Sequence, residues 1–468
     1  MAKTEPRPAM AAYSAYDHQE GPRDEQELTR VGRGTPCGEY LRRFWHPVGL
    51  SAELNDLPKA IRILGEDLVL FRDAQGRVGL LELHCSHRGT SLEFGTIEGQ
   101  GIRCCYHGWL YAVDGRVLET PGEPAGGAYK DRLYHGAYPT LEYKGLVFGY
   151  MGPPDKRPEF PIYDMYDLPG YRVAAQGRPD TSDAEPCNWL QLAENNMDPV
   201  HTVFLHGLEG RRADLGEYRP GVDPNGSLER YVDAGVKEWE THVSALRDEF
   251  RHHVVEYHEA PGGMFYIHTR RIGEEDLVWV RIADYILPNI DQIPRTLPVE
   301  ELIQELPFDA PRTTTWTVPV DDTHTTSFAL LYSPEKLDGI RPSRWRLTSP
   351  DASTTRTYED RQREPGDYEA QVSQGPIAVH GREHLAWSDG GVITVRRLLH
   401  DGVRAVQQGA DPAQVDLARQ GVIDTYGQST ILRVPRAASP EADQALLRET
   451  GRRVAAARHA GAPDSVTG

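Results

Sequence analysis

From residue 61 the chain changes to short apolar runs broken by turn residues. Ile61-Arg62-Ile63-Leu64, Leu68-Val69-Leu70-Phe71 and Val78-Gly79-Leu80-Leu81 are separated by Gly65-Glu66-Asp67 and Asp73-Ala74-Gln75-Gly76, a pattern that predicts a β meander. Ahead of it, Glu27 to Phe44 has apolar residues at Leu28, Val31, Leu41 and Phe44. It reads as a helical lead-in interrupted by the turn Gly34-Thr35-Pro36. Leu146 to Tyr150 closes the β unit, and Met151 to Pro161 reads as a linker. The remainder alternates strands (Thr241 to Ala245, Val278 to Tyr285, Thr313 to Val318, Thr326 to Tyr332) with helical stretches near 188–198, 390–408 and 440–458. The fold class expected is therefore α+β, an all-β unit followed by a larger α+β unit. The expected division is a disordered tail at 1–24, the β domain with its lead-in at 25–155, the second domain at 156–450, and a C-terminal tail at 451–468.

Charge and cysteine usage narrow the class. With 51 basic against 70 acidic residues the net charge is −19, which argues against nucleic acid or an anionic membrane surface as a partner. Five cysteines (Cys37, Cys85, Cys104, Cys105, Cys187) make no disulfide framework and suit a reducing compartment. Met1 to Arg23 has no apolar core of signal-peptide length, and no stretch reaches the length of a membrane span. A cytoplasmic protein is expected.

The chemistry is concentrated in two places. The first is Cys85-Ser86-His87, followed after sixteen residues by Cys104-Cys105-Tyr106-His107-Gly108-Trp109. Both couplets fall on turns of the β region, where a rigid scaffold can present ligands. Two thiolates and two imidazoles can hold a [2Fe–2S] cluster with sulfur on one iron and nitrogen on the other, which raises its potential above that of an all-cysteine centre. A structural zinc site is the alternative, but its couplets ordinarily pair like with like. Spacing alone leaves Cys104 and Cys105 equally eligible.

The second place is Glu194-Asn195-Asn196-Met197-Asp198-Pro199-Val200-His201-Thr202-Val203-Phe204-Leu205-His206. Two neutral imidazoles suit Fe(II), zinc or copper, and with a distant carboxylate they make the two-His-one-carboxylate face of a non-haem iron oxygenase. On a regular helix His201 and His206 would lie roughly 140° apart, so joint ligation needs the helix to loosen near Gly207. Asp198-Pro199 also makes a good helix start with no metal involved. Glu359, Asp360, Glu364, Asp367, Glu369 and Asp389 are all eligible as the carboxylate.

Taken in order, these motifs resemble the α subunit of a Rieske non-haem iron aromatic-ring-hydroxylating oxygenase, phthalate 4,5-dioxygenase-like branch. The resemblance runs from about Glu27 to Asp411. It includes Thr29 to Pro36 before Arg42-Arg43-Phe44-Trp45-His46-Pro47, both couplets, Cys187-Asn188-Trp189-Leu190-Gln191, the Asp198/His201/His206 run, Gln371 to Ile377, and Arg382-Glu383-His384-Leu385. It implies a Rieske domain on a helix-grip (START/SRPBCC-like) catalytic domain. It selects Cys85, His87, Cys104 and His107 for the cluster, with Cys105 where relatives commonly have proline. His201, His206 and Asp367 become the mononuclear iron ligands; Gly366 and His380 depart from the usual Gln and Arg.

The resemblance further implies a homotrimer in which His107 of one chain bonds Asp198 of the next, which in turn holds His201. Electrons from NAD(P)H arrive through a separate flavin/iron-sulfur reductase, and O2 is used to mono- or dioxygenate, or O-/N-dealkylate, a small aromatic substrate. Arg211 and Arg212 read as a surface pair, with pairing of a substrate carboxylate as the alternative, and Tyr358 and Trp387 read as packing residues. The substrate pocket is expected from the sheet and from helices around 190–210 and 280–320. A Rieske electron-transfer protein would leave the second domain unexplained; a helix-grip binding protein would leave the couplets unexplained.

Overall fold

A computed structural model describes residues 25–124, 127, 129–177, 184–205, 254–272, 276–294, 310–334, 357–363 and 365–458. The lead-in is two short helices, α1 (Gln26–Thr29) and α2 (Pro36–Leu41), because Gly34 sits at φ 81° between them. Thr35 caps α2 through its side chain and Pro36 occupies the first turn, where a missing N–H costs nothing. Arg42 is buried there, donating to the carbonyls of Val31, Gly38 and Leu64 and pairing with Glu66 at 2.7 Å.

The β unit is three small antiparallel sheets. β1 (Trp45–Leu50) pairs β11 (Leu146–Tyr150), which pairs β10 (Thr140–Tyr143). β2 (Lys59–Ile63), β3 (Glu66–Arg72), β4 (Val78–Glu82) and β9 (Ala137–Tyr138) make the second. β5 (Thr96–Glu98), β6 (Gly101–Arg103), β7 (Leu110–Ala112) and β8 (Val117–Glu119) make the third. The β2–β3 turn has both central residues at positive φ, Leu64 at 51° and Gly65 at 76°, the geometry that matches strand twist in a two-residue hairpin.

The larger unit is one antiparallel sheet. Its path is β13 (Tyr171–Gly177), β19 (His324–Pro334), β18 (Pro311–Asp321), β17 (Ile290–Pro294), β16 (Leu277–Ile286), β15 (Gly263–Ile272) and β14 (Val254–Ala260). β21 (Gln428–Arg433) also pairs β16, and β12 (Ile162–Tyr163) pairs β20 (Val422–Ile423) in parallel. The stretch expected to supply helices at 280–320 is thus largely sheet in its described parts. Val278–Tyr285 and Thr313–Val318 alternate less than a half-buried strand would because both faces are covered. Strands 171–177 and 254–272 are found beyond those expected, while Thr241 to Ala245 lies outside the described residues.

Helices cover the two faces of this sheet. On one face Phe265, Ile267, Val278, Val280 and Ile282 pack beneath Leu447 of α9 (Pro440–Ala457), whose N-terminus is capped by Ser439. The other face meets α3 (Trp189–Asn195) and α7 (Gly390–Gln407); between these two in the chain come α4 (His201–Leu205), α5 (Tyr358–Arg363) and α6 (Asp367–Val372), and α8 (Ala413–Arg419) follows. The two units share a core: the Phe148 and Trp316 rings meet edge-to-face at 5.6 Å, and the β2–β3 turn donates from Leu64 and Gly65 to the carbonyls of Pro319 and Val320. Among the described residues no helix is long and apolar enough to cross a membrane.

Candidate metal centres

The two couplet loops are built alike. In each, the fifth residue returns its amide to the cysteine carbonyl, Gly89 to Cys85 at 2.8 Å and Gly108 to Cys104 at 3.1 Å. Both glycines sit at φ 74°, a conformation that a side chain makes costly, and a Cβ on Gly108 would also meet Pro121 at 2.9 Å. The matched loops face one another. Cys85 and Cys104 are each 3% exposed and sit within hydrogen-bonding reach, whereas His87 and His107 are half-buried with ring centroids 4.5 Å apart. Sulfur donors therefore share the inner end of the site and nitrogen donors the rim, the two-plus-two division a Rieske cluster requires.

Cys105 is exposed, whereas Cys104 is buried beside Cys85. Burial holds the Cys104 thiol above its ordinary range, with neighbouring Cys85 adding to that effect. The surroundings are ordered by residues that spacing did not point to. Tyr111 Oη lies 3.0 Å from Cys85 Sγ, and the Trp109 ring stacks on His87 at 4.8 Å and 3°. His135 bridges Ser86 Oγ (2.6 Å) and the Glu82 carbonyl (2.8 Å). Trp109 was visible as part of the second motif; Tyr111 and His135 carry no local signal.

The second site is drawn from segments far apart in the chain. His201 Nε2 lies 3.6 Å from Asp367 Oδ1, and Asn195 Nδ2 sits between them, 3.2 Å from the carboxylate and 3.5 Å from the imidazole. His201 Nδ1 approaches the Asp198 carbonyl at 2.5 Å, so the ring donates there and leaves the Nε2 lone pair facing Asp367. A nitrogen and an oxygen 3.6 Å apart can both reach one divalent ion at about 2.1 Å each. The donor set thus fits a first-row metal. His206 lies outside the described residues, as do Arg211 and Arg212.

The other eligible carboxylates are engaged elsewhere. Glu359 pairs with Arg363, Asp360 accepts from Thr357, Glu369 pairs with Arg361 and accepts from the Gly366 amide, and Asp389 accepts from the Ala386 amide. Glu364 is outside the described residues. At Gly366, one of the departures noted above, the backbone amide donates to Glu369 Oε2 at 2.8 Å over the start of α6, a bond that any residue but proline could make. Asp198 caps α4, its Oδ1 accepting from the amides of Val200 (2.8 Å) and His201 (3.3 Å), while Oδ2 is 4.0 Å from His201 Nδ1. Tyr358 and Trp387 are not packing residues within this chain; they are 74% and 75% exposed.

Strand register adds what spacing could not. Tyr257, Tyr266, His268, Arg281 and Asp291 fall on one face of the sheet. That face meets the end of α3, where Asn196 Nδ2 donates to Asp291 Oδ1 at 2.8 Å. Burial alone pushes the Asp291 carboxyl up to about 8. Arg281 Nε is buried and has no hydrogen-bond partner among the described residues.

Comparison with known proteins agrees with this geometry. Residues 44–136 match the Rieske [2Fe-2S] domain. Over 462 residues, covering 95% of this chain and 91% of the relative, the sequence is 40% identical to the tert-butanol monooxygenase / tert-amyl alcohol desaturase oxygenase subunit of Aquincola tertiaricarbonis. It is 39% identical to the phenoxybenzoate dioxygenase subunit alpha of Ectopseudomonas oleovorans, covering 89% of this chain and 93% of that one. The phthalate 4,5-dioxygenase oxygenase subunit of Pseudomonas putida is 30% identical over 83% of this chain and 87% of its own length. Dicamba monooxygenase shares the fold, with a TM-score of 0.52 at 18% identity over 79% of this chain and 99% of that one. The chain belongs to the Rieske non-haem iron oxygenases, as an oxygenase subunit. It is an enzyme, and its cofactors are a Rieske [2Fe–2S] cluster and a mononuclear iron.

Proposed function

We propose that the chain is the terminal oxygenase of a multicomponent system that oxygenates or O-dealkylates a small aromatic acid or ether. Cys85, His87, Cys104 and His107 hold the cluster, and His201, His206 and Asp367 hold the iron, with the division between the domains near residue 155. The observation that carries this reading is the convergence of His201 and Asp367 in a chain that also carries the matched couplet loops. When bound, the cluster supplies single electrons and the mononuclear iron supplies the place where dioxygen is activated.

The protein's own groups set the conditions for that chemistry. The buried thiols keep the inner end of the first site away from water, while the half-buried imidazoles keep the outer end within reach of a donor. The Asp198 carbonyl fixes the His201 tautomer, so the ring cannot turn its N–H toward Asp367. Across the interface of a homotrimer, the Asp198 carboxylate also accepts from His107 of the neighbouring chain. Electrons enter from NAD(P)H through a separate reductase, in the cytoplasm. Arg281, whose Nε has no hydrogen-bond partner among the described residues, would pair a substrate carboxylate from the sheet face that meets α3.

The tert-butanol relative favours a second reading, a tertiary aliphatic alcohol as substrate. Mass spectrometry of products formed under isotopic dioxygen separates the two. Labelled products from benzoates or aryl ethers support the aromatic reading. Turnover of tertiary alcohols alone, at rates unaffected by Arg281→Met, would overturn it.

A further inference from the structure

One side of α3 is devoted to the segment that carries Asp367. Gln191, Glu194 and Asn195 stand at i, i+3 and i+4, the spacing that lines one helix face. Gln191 donates to the carbonyls of Gln371 (2.9 Å) and Gly375 (3.1 Å) and accepts from the amide of Ala378 (3.0 Å). Asn195 donates to Asp367 itself. Glu194 stands at the far end of the segment, its carboxylate within 4.8 Å of ligand atoms of His380 and Glu383. Its carboxylate takes two bonds from Arg396 of α7, Nε to Oε1 at 2.5 Å and Nη2 to Oε2 at 2.8 Å. The same guanidinium gives two more to Glu383, at 2.6 and 3.0 Å.

Arg396 is thus bidentate on both sides, with its side chain 15% exposed and that of Glu194 13% exposed. Charged, forked bonds of this kind are the strong and directional ones, and a lysine ammonium cannot reproduce their geometry. Glu194 lies in the last turn of α3, where the helix's own bonding runs out and an outside anchor matters most. Beyond it come Asn195, Asp198 and His201; beyond Glu383 on the other side, back along the chain, comes Asp367.

We propose that Arg396 is a positioning residue for the iron site: the Glu194–Arg396–Glu383 bridge fixes the separation of His201 and Asp367. It acts on the two strands of chain that converge there and touches neither ligand. The proposal rests on the reading of His201 and Asp367 as ligands.

The test is Fe(II) affinity of the full-length protein, measured by titration into the iron-depleted mononuclear site while the Rieske absorption reports an intact first domain. Arg396→Lys keeps the charge and loses the fork; Glu383→Gln is the milder variant should Arg396→Met fail to fold. Arg271→Lys disturbs a comparably buried ion pair, with Asp443 of α9, away from the iron. Arg396→Met and Arg396→Lys should weaken iron binding by about ten- to a hundredfold, as losses of groups that orient ligands do, with Lys recovering little of it. Arg271→Lys should lower the melting temperature without moving iron affinity. Unchanged iron affinity in both Arg396 variants, with Asp367→Ala losing iron, would overturn the clamp and leave the ligand reading intact. Unchanged affinity in Asp367→Ala would remove the ligand reading and the clamp with it.

Discussion

The two metal centres are assembled in opposite ways. The couplet site comes from two loops of one β unit, each closed within five residues by a glycine amide, and its four candidate donors lie between residues 85 and 107. The His201 site joins groups 166 positions apart and depends on the packing of α6 and α7 against α3. A site made by local loops depends mainly on residues in the loops and in direct contact with them. A site made by tertiary packing is sensitive to residues that never touch the metal. Variants that separate local from long-range construction therefore test the comparison.

The largest effect belongs to the local site. Cys104→Ser should abolish the Rieske EPR signal of the reduced protein, whereas Cys105→Ser should leave it nearly unchanged, since Cys105 is exposed. Loss of the signal from the Cys105 change would overturn the assignment. Next comes His201→Ala, expected to remove mononuclear iron and oxygenation together while the visible spectrum of the cluster persists. A variant that still turns over would show that this imidazole is not a ligand.

Asp198→Asn is expected to have a narrower effect. Asparagine caps a helix as well as aspartate does, so α4 and both metals should be retained. The negative charge that would meet a neighbour's His107 is lost, and reoxidation of the reduced cluster with substrate and dioxygen should slow by about ten- to a hundredfold. Wild-type reoxidation kinetics in a trimer would confine Asp198 to its capping role.

A smaller effect concerns Asp291. Burial raises its folded pKa to about 8, so the folded state holds a proton that the unfolded chain releases near pH 4. The stability tied to that proton is fully present below about pH 4 and is lost as pH rises toward 8, by the order of a few kcal/mol. Asp291→Asn should flatten this part of the denaturation profile and gain relative to the parent at pH 8. Parallel pH profiles for the two proteins would contradict the burial argument.

Legibility in the sequence follows the same division. The couplets, Gly108-Trp109 and the strand Leu146–Tyr150 could be read directly because the information lies within a few residues. Asp367 came from resemblance, since several neighbouring carboxylates had equal standing by spacing; in the structure Glu359, Glu369 and Asp389 have partners of their own, and Asp367 lies 3.6 Å from His201. Glu194, Arg396 and Glu383 were unreadable as a set: an arginine 202 residues from its carboxylate leaves no periodic trace. Strand 254–260 was missed because its polar and aromatic residues, Glu256, Tyr257, His258 and Glu259, obscure alternation. Tyr358 and Trp387 were misread because exposed aromatics follow the same patterns as buried ones.

The central claim is that one chain carries both centres and that Asp367 belongs to the second. Metal and acid-labile sulfide analysis of the parent protein and of Asp367→Ala tests it most directly. The parent should hold the two irons and two sulfides of a Rieske cluster plus about one further iron per chain, and the variant should lose only that further iron. Retention of the third iron in Asp367→Ala, or its absence from the parent protein reconstituted with Fe(II), would contradict the account.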